Sequence, residues 1–136
     1  IFMGKKDFQQ LFLVKNFIQE RYTARVIGCK TIRDKNKLAL SSRNYLFNKS
    51  ELDIAGKISK YLFLLKKKIK NNKNVNNFLI KEKKNLKKIF KIKIEYLELR
   101  KSKTLKISNN SSGSKLFISY YFKGVRLIDN FWNYKK

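Results

Sequence analysis

Within its first thirty residues the sequence sets out a short apolar run, a helical period and a second apolar run, one after another. Ile1-Phe2-Met3 reads as the end of a strand whose beginning lies upstream. Gly4-Lys5-Lys6 leads into a helix, where Asp7 and Gln10 have the spacing of a capping box. Leu11, Val14, Phe17 and Ile18 then recur at helical spacing to about Glu20. Arg25-Val26-Ile27-Gly28-Cys29 is a candidate for a short buried strand. Strand, helix, strand in that order predicts a βαβ unit of a parallel sheet, and so an α/β fold.

The rest of the chain changes character. Residues 31–44 have no clean period and read as a loop with a short helical piece. Asn48 and Glu51 repeat the capping-box pattern, and Leu52, Ala55, Ile58, Leu62 and Leu65 form the apolar stripe of the helix that follows. Lys66-Lys67-Lys68 falls in its last turn, where cations suit the helix dipole. The Asn/Lys-rich stretch 71–77 is the expected boundary, dividing 1–70 from 71–136. A third helix should put Val75, Phe78, Leu79, Leu86, Ile89 and Phe90 on one side and a Lys-rich face in water. Strands are expected at 92–100, 115–122 and 125–130, with Lys123-Gly124 as a tight hairpin turn and 108–114 as a polar loop. This second part reads as a small α+β domain with an antiparallel sheet.

The 136 residues suffice for one ordinary domain, and a hydrophobic share of 43% suits a packed core. The net charge of +25 invites a nucleic-acid or anionic-membrane reading. A plainer cause is available. Arg supplies only six of the 34 basic residues; Asn, Ile, Phe and Tyr are abundant, Ala and Gly scarce, and Pro is absent. The common residues have AT-rich codons, so the Lys excess reads as genomic bias. Cys29 is the one cysteine, which precludes an internal disulfide and fits a reducing cytoplasm. No histidine occurs, so imidazole acid–base chemistry and His metal ligation are excluded within the chain. No apolar run reaches the roughly 18 residues of a membrane span.

Two segments could carry chemistry. Gly4-Lys5-Lys6-Asp7 stands at a strand-to-helix junction, where free N–H groups and the dipole favour anions. A lysine there can meet a phosphate and an aspartate can hold Mg²⁺ through oxygen. Alternatively Asp7 caps the helix and the lysines are solvated. Leu38-Ala39-Leu40-Ser41-Ser42-Arg43-Asn44 offers two hydroxyls and a guanidinium fork to phosphate oxygens. It can equally be an ordinary Ser-rich turn.

These segments carry a family likeness. Gly4-Lys5-Lys6-Asp7-Phe8-Gln9-Gln10-Leu11 resembles the Gly-Glu-Lys-Asp-Phe/Tyr-Gln-Gln-Leu of pantothenate synthetases. Thr31-Ile32-Arg33 followed by Leu38-Ala39-Leu40-Ser41-Ser42-Arg43-Asn44 is similar to that family's Thr-hydrophobic-Arg and Gly-Leu-Ala-Leu/Met-Ser-Ser-Arg-Asn blocks. Tyr96-Leu97-Glu98-Leu99, Thr104-Leu105 and the closing Arg126-Leu127-Ile128-Asp129-Asn130 look like its later blocks. The likeness spans nearly the whole chain but only the second half of the family's proteins.

The resemblance implies the later part of a Rossmann-like, nucleotidyltransferase-type domain followed by the small α+β domain. It implies an ATP-dependent ligase that joins pantoate to β-alanine through a pantoyl adenylate, with Mg²⁺, in the cytoplasm, and a homodimer. Gly4, Lys5, Lys6, Asp7, Ile32, Leu40, Ser41, Ser42 and Arg43 would bind ATP, and Gln10 would bind pantoate. Asp7 would serve Mg²⁺, and Lys6, Ser41, Ser42 and Arg43 would stabilise phosphate charge. Arg126 to Asn130 would serve the small domain's fold.

Departures from the pattern are Lys5 for the family's Glu, Lys30 for a Pro and Lys37 for a Gly. The last would restrain the loop if that position needs a positive φ. The family's His-x-Gly-His signature is absent. The chain alone is therefore expected to lack a complete site, as a fragment, one half of a split enzyme, or the product of a decaying gene. A basic polyanion-binding module, using Tyr120, Tyr121, Phe122 and Trp132 for stacking, is the competing class. Lysines spread through every element do not form the single groove such a module uses.

Overall fold

A computed structural model describes residues 1–132, which divide into two compact units, 1–32 and 33 onward. In the first, strands β1 (Phe2–Gly4) and β2 (Ile27–Cys29) pair in parallel across helix α1 (Phe8–Arg21). This is the βαβ unit expected from the apolar pattern, although β2 is shorter than the 25–29 run. The chain start supports the pair, since the Ile1 ammonium donates to the Arg25 carbonyl at 2.8 Å. Leu11 and Val26 are its buried apolar residues. Asp7 does stand at the N-cap of α1, but its side chain accepts no cap hydrogen bond. Its φ and ψ of −89° and 57° lie outside the extended region from which a cap side chain reaches the N2 or N3 amide. The expected box with Gln10 therefore does not form. The preceding turn, Lys5–Asp7, is a short 3₁₀ helix.

The second unit holds helices α2 (Lys49–Ile69) and α3 (Val75–Phe90), and the antiparallel sheet β3 (Lys93–Lys101), β4 (Ser114–Phe122) and β5 (Val125–Trp132), with β4 in the centre. The fold is thus mixed α/β, a parallel pair followed by an α+β unit with a separate antiparallel sheet. Asn48 caps α2 with a full capping box: its Oδ1 accepts the Glu51 amide at 2.9 Å, and Glu51 Oε2 accepts the Asn48 amide at 3.0 Å. Ala55, Ile58, Leu62, Leu65 and Ile69, spaced alternately three and four apart, bury one face of α2. Each large member contributes roughly 1.5–3 kcal/mol by leaving water. Val75, Leu79 and Leu86 of α3, Leu116, Ile118, Tyr120 and Phe122 of β4, and buried residues of β3 and β5 share that core. Residues 70–74 join α2 to α3 within the second unit.

Two details of α3 depart from the apolar pattern. Ile89 is exposed, and Glu82 is buried instead. The Tyr61 hydroxyl of α2 donates to Glu82 Oε2 at 2.6 Å and Asn85 Nδ2 to Oε1 at 3.2 Å, so the carboxylate enters the interface with both oxygens bonded. Burial, then the Glu82 contact, pushes the Tyr61 hydroxyl up to about 12.

At the hairpin, Lys123 and Gly124 both take positive φ, 49° and 76°, as a two-residue type I′ turn requires. In β3 the register slips between Ile94 and Tyr96, leaving Glu95 without a cross-strand partner. Such a bulge re-aims a side chain. Here Glu95 Oε2 accepts from the Ser119 hydroxyl at 2.6 Å and from Arg126 Nε at 2.8 Å. Those two bonds, the hydroxyl's first, hold the Glu95 carboxyl below the usual carboxylate range.

Three outcomes are expected. Lys37 sits at φ 71°, the left-handed conformation that the glycine of the family pattern would take freely. A non-glycine residue there costs about 1–2 kcal/mol, against about 0.5–1 for the entropy of a glycine. Lys37→Gly should therefore raise stability by about 0.5–1 kcal/mol in urea denaturation. Gly56→Ala should act oppositely. A Cβ at Gly56 would lie 2.6 Å from the Asn36 Cβ, and overpacking of about 1–3 kcal/mol outweighs the roughly 1 kcal/mol gained in helix propensity. An unchanged or raised denaturation midpoint for Gly56→Ala would contradict this packing. Finally, an NMR titration should place Glu95 below the ordinary glutamate value of about 4.3, and Ser119→Ala should raise it. With a folded value below the unfolded one, the stability it contributes is present above the unfolded value. That stability is lost as pH falls through the folded value.

Candidate functional site

The residues singled out from sequence fall in two groups, one in each unit. In the first unit, Gly4 ends β1 in extended conformation, φ −69° and ψ 134°, and is exposed. Lys5 and Lys6 are half-buried in the 3₁₀ turn that follows, and Asp7 is exposed beside them. Gln10 lies in the first turn of α1, exposed. This is a strand-to-helix turn that brings two ammonium groups and one carboxylate to a helix start. Gly28 of β2 matters to it locally. A Cβ there would lie 2.9 Å from Leu11 Cδ2 and 3.1 Å from Lys5 Cε, so the bare backbone leaves room for the Lys5 stem. Ile32 closes the first unit, exposed.

In the second unit the segment 33–47 is a built loop. Asp34 organises its tip: Oδ1 accepts the Asn36 amide at 2.8 Å and the Leu38 amide at 3.0 Å. The Asp34 amide bonds the Leu38 carbonyl at 2.9 Å, and Arg33 and Ala39 form an antiparallel bridge. Leu38 and Ala39 turn inward and are buried, while Leu40 is exposed. Ser41 is the N-cap of the short 3₁₀ helix Ser42–Leu46, its Oγ accepting the Arg43 amide at 3.2 Å. The expected short helical piece is therefore present, and it starts inside the Ser-Ser-Arg-Asn block. Asn44 Nδ2 donates back to the Ala39 carbonyl at 3.3 Å. Ser42 and Arg43 are exposed, and Arg43 Nη1 donates to the Arg126 carbonyl at 2.8 Å. A guanidinium has five N–H donors, so this anchor uses one and fixes the direction of the rest.

Sequence reasoning missed what holds this loop. Arg33 forms a two-point ion pair with Asp129 of β5, Nη1 to Oδ2 at 2.6 Å and Nη2 to Oδ1 at 2.8 Å. Arg33 Nη1 also donates to the Lys37 carbonyl at 3.0 Å. The guanidinium carbon lies 5.0 Å from the ring centres of both Phe63 and Phe131. A signal was available: Asp129 follows Leu127 and Ile128 in a strand headed for the core, and a buried carboxylate needs a cationic partner. Nothing local names that partner, 96 residues away.

Among the described residues no group of three or more His, Cys, Asp or Glu side chains could hold a metal ion. No helix among them is long and apolar enough to cross a membrane. Cys29 is exposed and free.

The sequence model of the pantoate-beta-alanine ligase family matches residues 1–132. Pantothenate synthetase of Sulfurihydrogenibium sp. (strain YO3AOP1) is 34% identical over 140 residues, a match that covers 96% of this chain and 48% of that protein. Pantothenate synthetase of Clostridium botulinum (strain ATCC 19397 / Type A) is 36% identical over 135 residues, covering 96% and 47%. The crystal structure of pantothenate synthetase from Thermus thermophilus superposes with a TM-score of 0.85 at 26% identity, over 98% of this chain and 49% of that one. That of pantoate-beta-alanine ligase from Francisella tularensis, complexed with beta-gamma ATP and beta-alanine, gives 0.69 at 28% identity, over 97% and 42%. The chain thus spans about half the length of the relatives it matches. A match over residues 1–132, with the Gly-Lys-Lys-Asp turn and the Ser-Ser-Arg-Asn loop both formed, places the chain in the pantoate–β-alanine ligase family.

Proposed function

We propose that the chain supplies part of an ATP-dependent ligase that condenses pantoate with β-alanine in the cytoplasm. The observation that carries this reading is the loop 40–43, in which Ser41 caps a turn and Arg43 is anchored on Arg126. The Francisella relative, solved with beta-gamma ATP and beta-alanine, supports the substrate class. In this reading a pantoate carboxylate oxygen attacks the α-phosphorus of ATP, forming the acyl adenylate and releasing pyrophosphate. The amine of β-alanine then attacks the acyl carbon, the new C–N bond displaces AMP, and the amine sheds a proton to water. Charge builds on phosphate oxygens in the first step, so donors fixed in advance are worth most there.

Roles are assigned to each unit by itself. In the first, Gly4, Lys5 and Lys6 meet ATP, with Lys6 on phosphate, Ile32 meets the adenosine through its backbone, and Gln10 hydrogen-bonds pantoate. Asp7 would hold Mg²⁺ brought in with the nucleotide, which would neutralise phosphate charge. A lone exposed carboxylate suits Mg²⁺, which keeps several waters and takes its other oxygens from phosphates. In the second unit, Leu40, Ser41, Ser42 and Arg43 form the phosphate loop, with Ser41, Ser42 and Arg43 neutralising developing charge. The division of the parent fold at 1–70 and 71–136, and the family's homodimer, belong to the same reading.

The remainder of the family fold is needed as well. A chain without histidine cannot supply the His-x-Gly-His group that the family resemblance implies. The first unit also leaves Phe2 and Ile27 of a parallel pair exposed at 74% and 48%, although parallel sheets are stable when both faces are covered. Covering the face that carries Phe2 and Ile27 is the part we assign to the other half, as a separate or connected polypeptide.

The test is pantoate-dependent ATP–pyrophosphate exchange, with this chain alone and with the remaining half of a related enzyme added in trans. Exchange is expected only with both halves. Arg43→Ala should lower it about a hundredfold or more, the usual cost of one preorganised donor to transition-state charge. A folded mixture without exchange would overturn the ligase reading.

A further inference from the structure

Both ends of the segment 33–43 are tied to one strand. Arg33 grips Asp129 of β5 by two bonds, and Arg43 donates to the carbonyl of Arg126, three residues earlier on that strand. Between these ties the loop closes on itself through Arg33 Nη1 to the Lys37 carbonyl and through the Arg33–Ala39 bridge. Arg126 is held in turn by Glu95, from the bulge in β3. Asp129 is buried, with 6% of its side chain exposed, so its bond to Arg33 is little screened. A planar fork on a carboxylate fixes orientation as well as distance.

We propose that Asp129, acting through Arg33, is a positioning residue for the guanidinium of Arg43. On this view the Arg126–Asn130 block sets the phosphate loop as well as building the small domain. The inference rests on the phosphate role given to Arg43 above. The pair orients the loop before nucleotide arrives, so Arg43 meets the triphosphate without first being ordered, and ordering costs are what preorganisation removes.

The test replaces the pair by apolar residues, Arg33→Met with Asp129→Leu. Exchanging a buried ion pair for packed apolar side chains is often neutral for stability, so this variant separates positioning from folding. Two readouts are taken on the folded protein: the order of the Arg43 Nε–Hε group by NMR without ligand, and affinity for inorganic tripolyphosphate beside adenosine. The expected result is loss of Arg43 order, a fall in tripolyphosphate affinity of about tenfold, the worth of one charge-assisted bond, and unchanged adenosine affinity. Should the double variant not fold, Arg33→Lys keeps the charge opposite Asp129 without the fork, and partial loss of the same two signals is expected. Unchanged Arg43 order and tripolyphosphate affinity in either folded variant would overturn the proposal. Loss of Arg43 order in a protein whose wild type binds no tripolyphosphate would support the clamp and sink the phosphate reading.

Discussion

The Arg33–Asp129 pair is the interaction on which the second unit turns. Taking two charges out of water costs several kcal/mol each, and only good geometry recovers it. Here the geometry is good. Two bonds of 2.6 and 2.8 Å join the groups, Asp129 Oδ1 also accepts the Asn130 amide at 2.8 Å, and Arg33 lies near the Phe63 and Phe131 rings. Those rings meet edge-on at 4.9 Å, so the guanidinium stem and the aromatic cluster share one packed region. Neighbours register the charges. The Tyr120 hydroxyl is pushed well above its ordinary value by burial and then by Asp129. The Lys66 ammonium is lowered by burial and then by Arg33. Removing one partner would leave the other charged in a place built to exclude water, which is why such a pair is costly to break though of modest net worth.

A chain of charge +25 has most of its lysines at the surface. Lysines line the outer faces of α2 and α3, where long stems cover apolar surface and ammonium groups stay wet. Several of the few acidic side chains have defined partners: Glu51 in a capping box and Glu95 on Arg126 at the surface, Glu82 between helices and Asp129 on Arg33 in buried positions. Each neutralises or organises named neighbours. A basic surface of this kind follows from composition, and the fold's specificity rests with its minority of carboxylates.

What could be read in the sequence was local. The box of Asn48 and Glu51, the Lys123-Gly124 hairpin and the alternating stripe of α2 are patterns within a single element or turn, and each formed. Lys37 was legible too, because the family pattern has glycine where φ proves to be 71°. Asp7 misled because spacing alone does not specify backbone angles, and its ψ of 57° keeps the carboxylate from the amides it would cap. Ile89 and Glu82 exchanged places because the Tyr61 hydroxyl gives a buried carboxylate a partner that a binary apolar pattern does not count. The same limit hid the loop's anchor. Arg33 and Asp129 stand in separate family blocks, and only the folded sheet brings them together.

The two candidate segments, one in each unit, differ in how they are held. Within its own unit the loop 40–43 is held through Ser41, Asn44, Arg126 and the Arg33 clamp. The turn Lys5–Asp7 is fixed by a parallel pair of three-residue strands and one helix, with Leu11 and Val26 as its buried apolar residues. A two-stranded sheet is marginal in water, and below about 40 residues a unit usually needs outside support. The surroundings of Asp129 thus hold a two-point ion pair and a large apolar core, and those of Gly4 a two-stranded pair with few buried residues. A ligand that engages Lys6 or Asp7 must bear the cost of ordering that turn, whereas one that engages Arg43 meets donors already in place. On the proposed phosphate role, the donors of the second unit stand in place beforehand, whereas the contribution of the first unit depends on whatever covers Phe2 and Ile27.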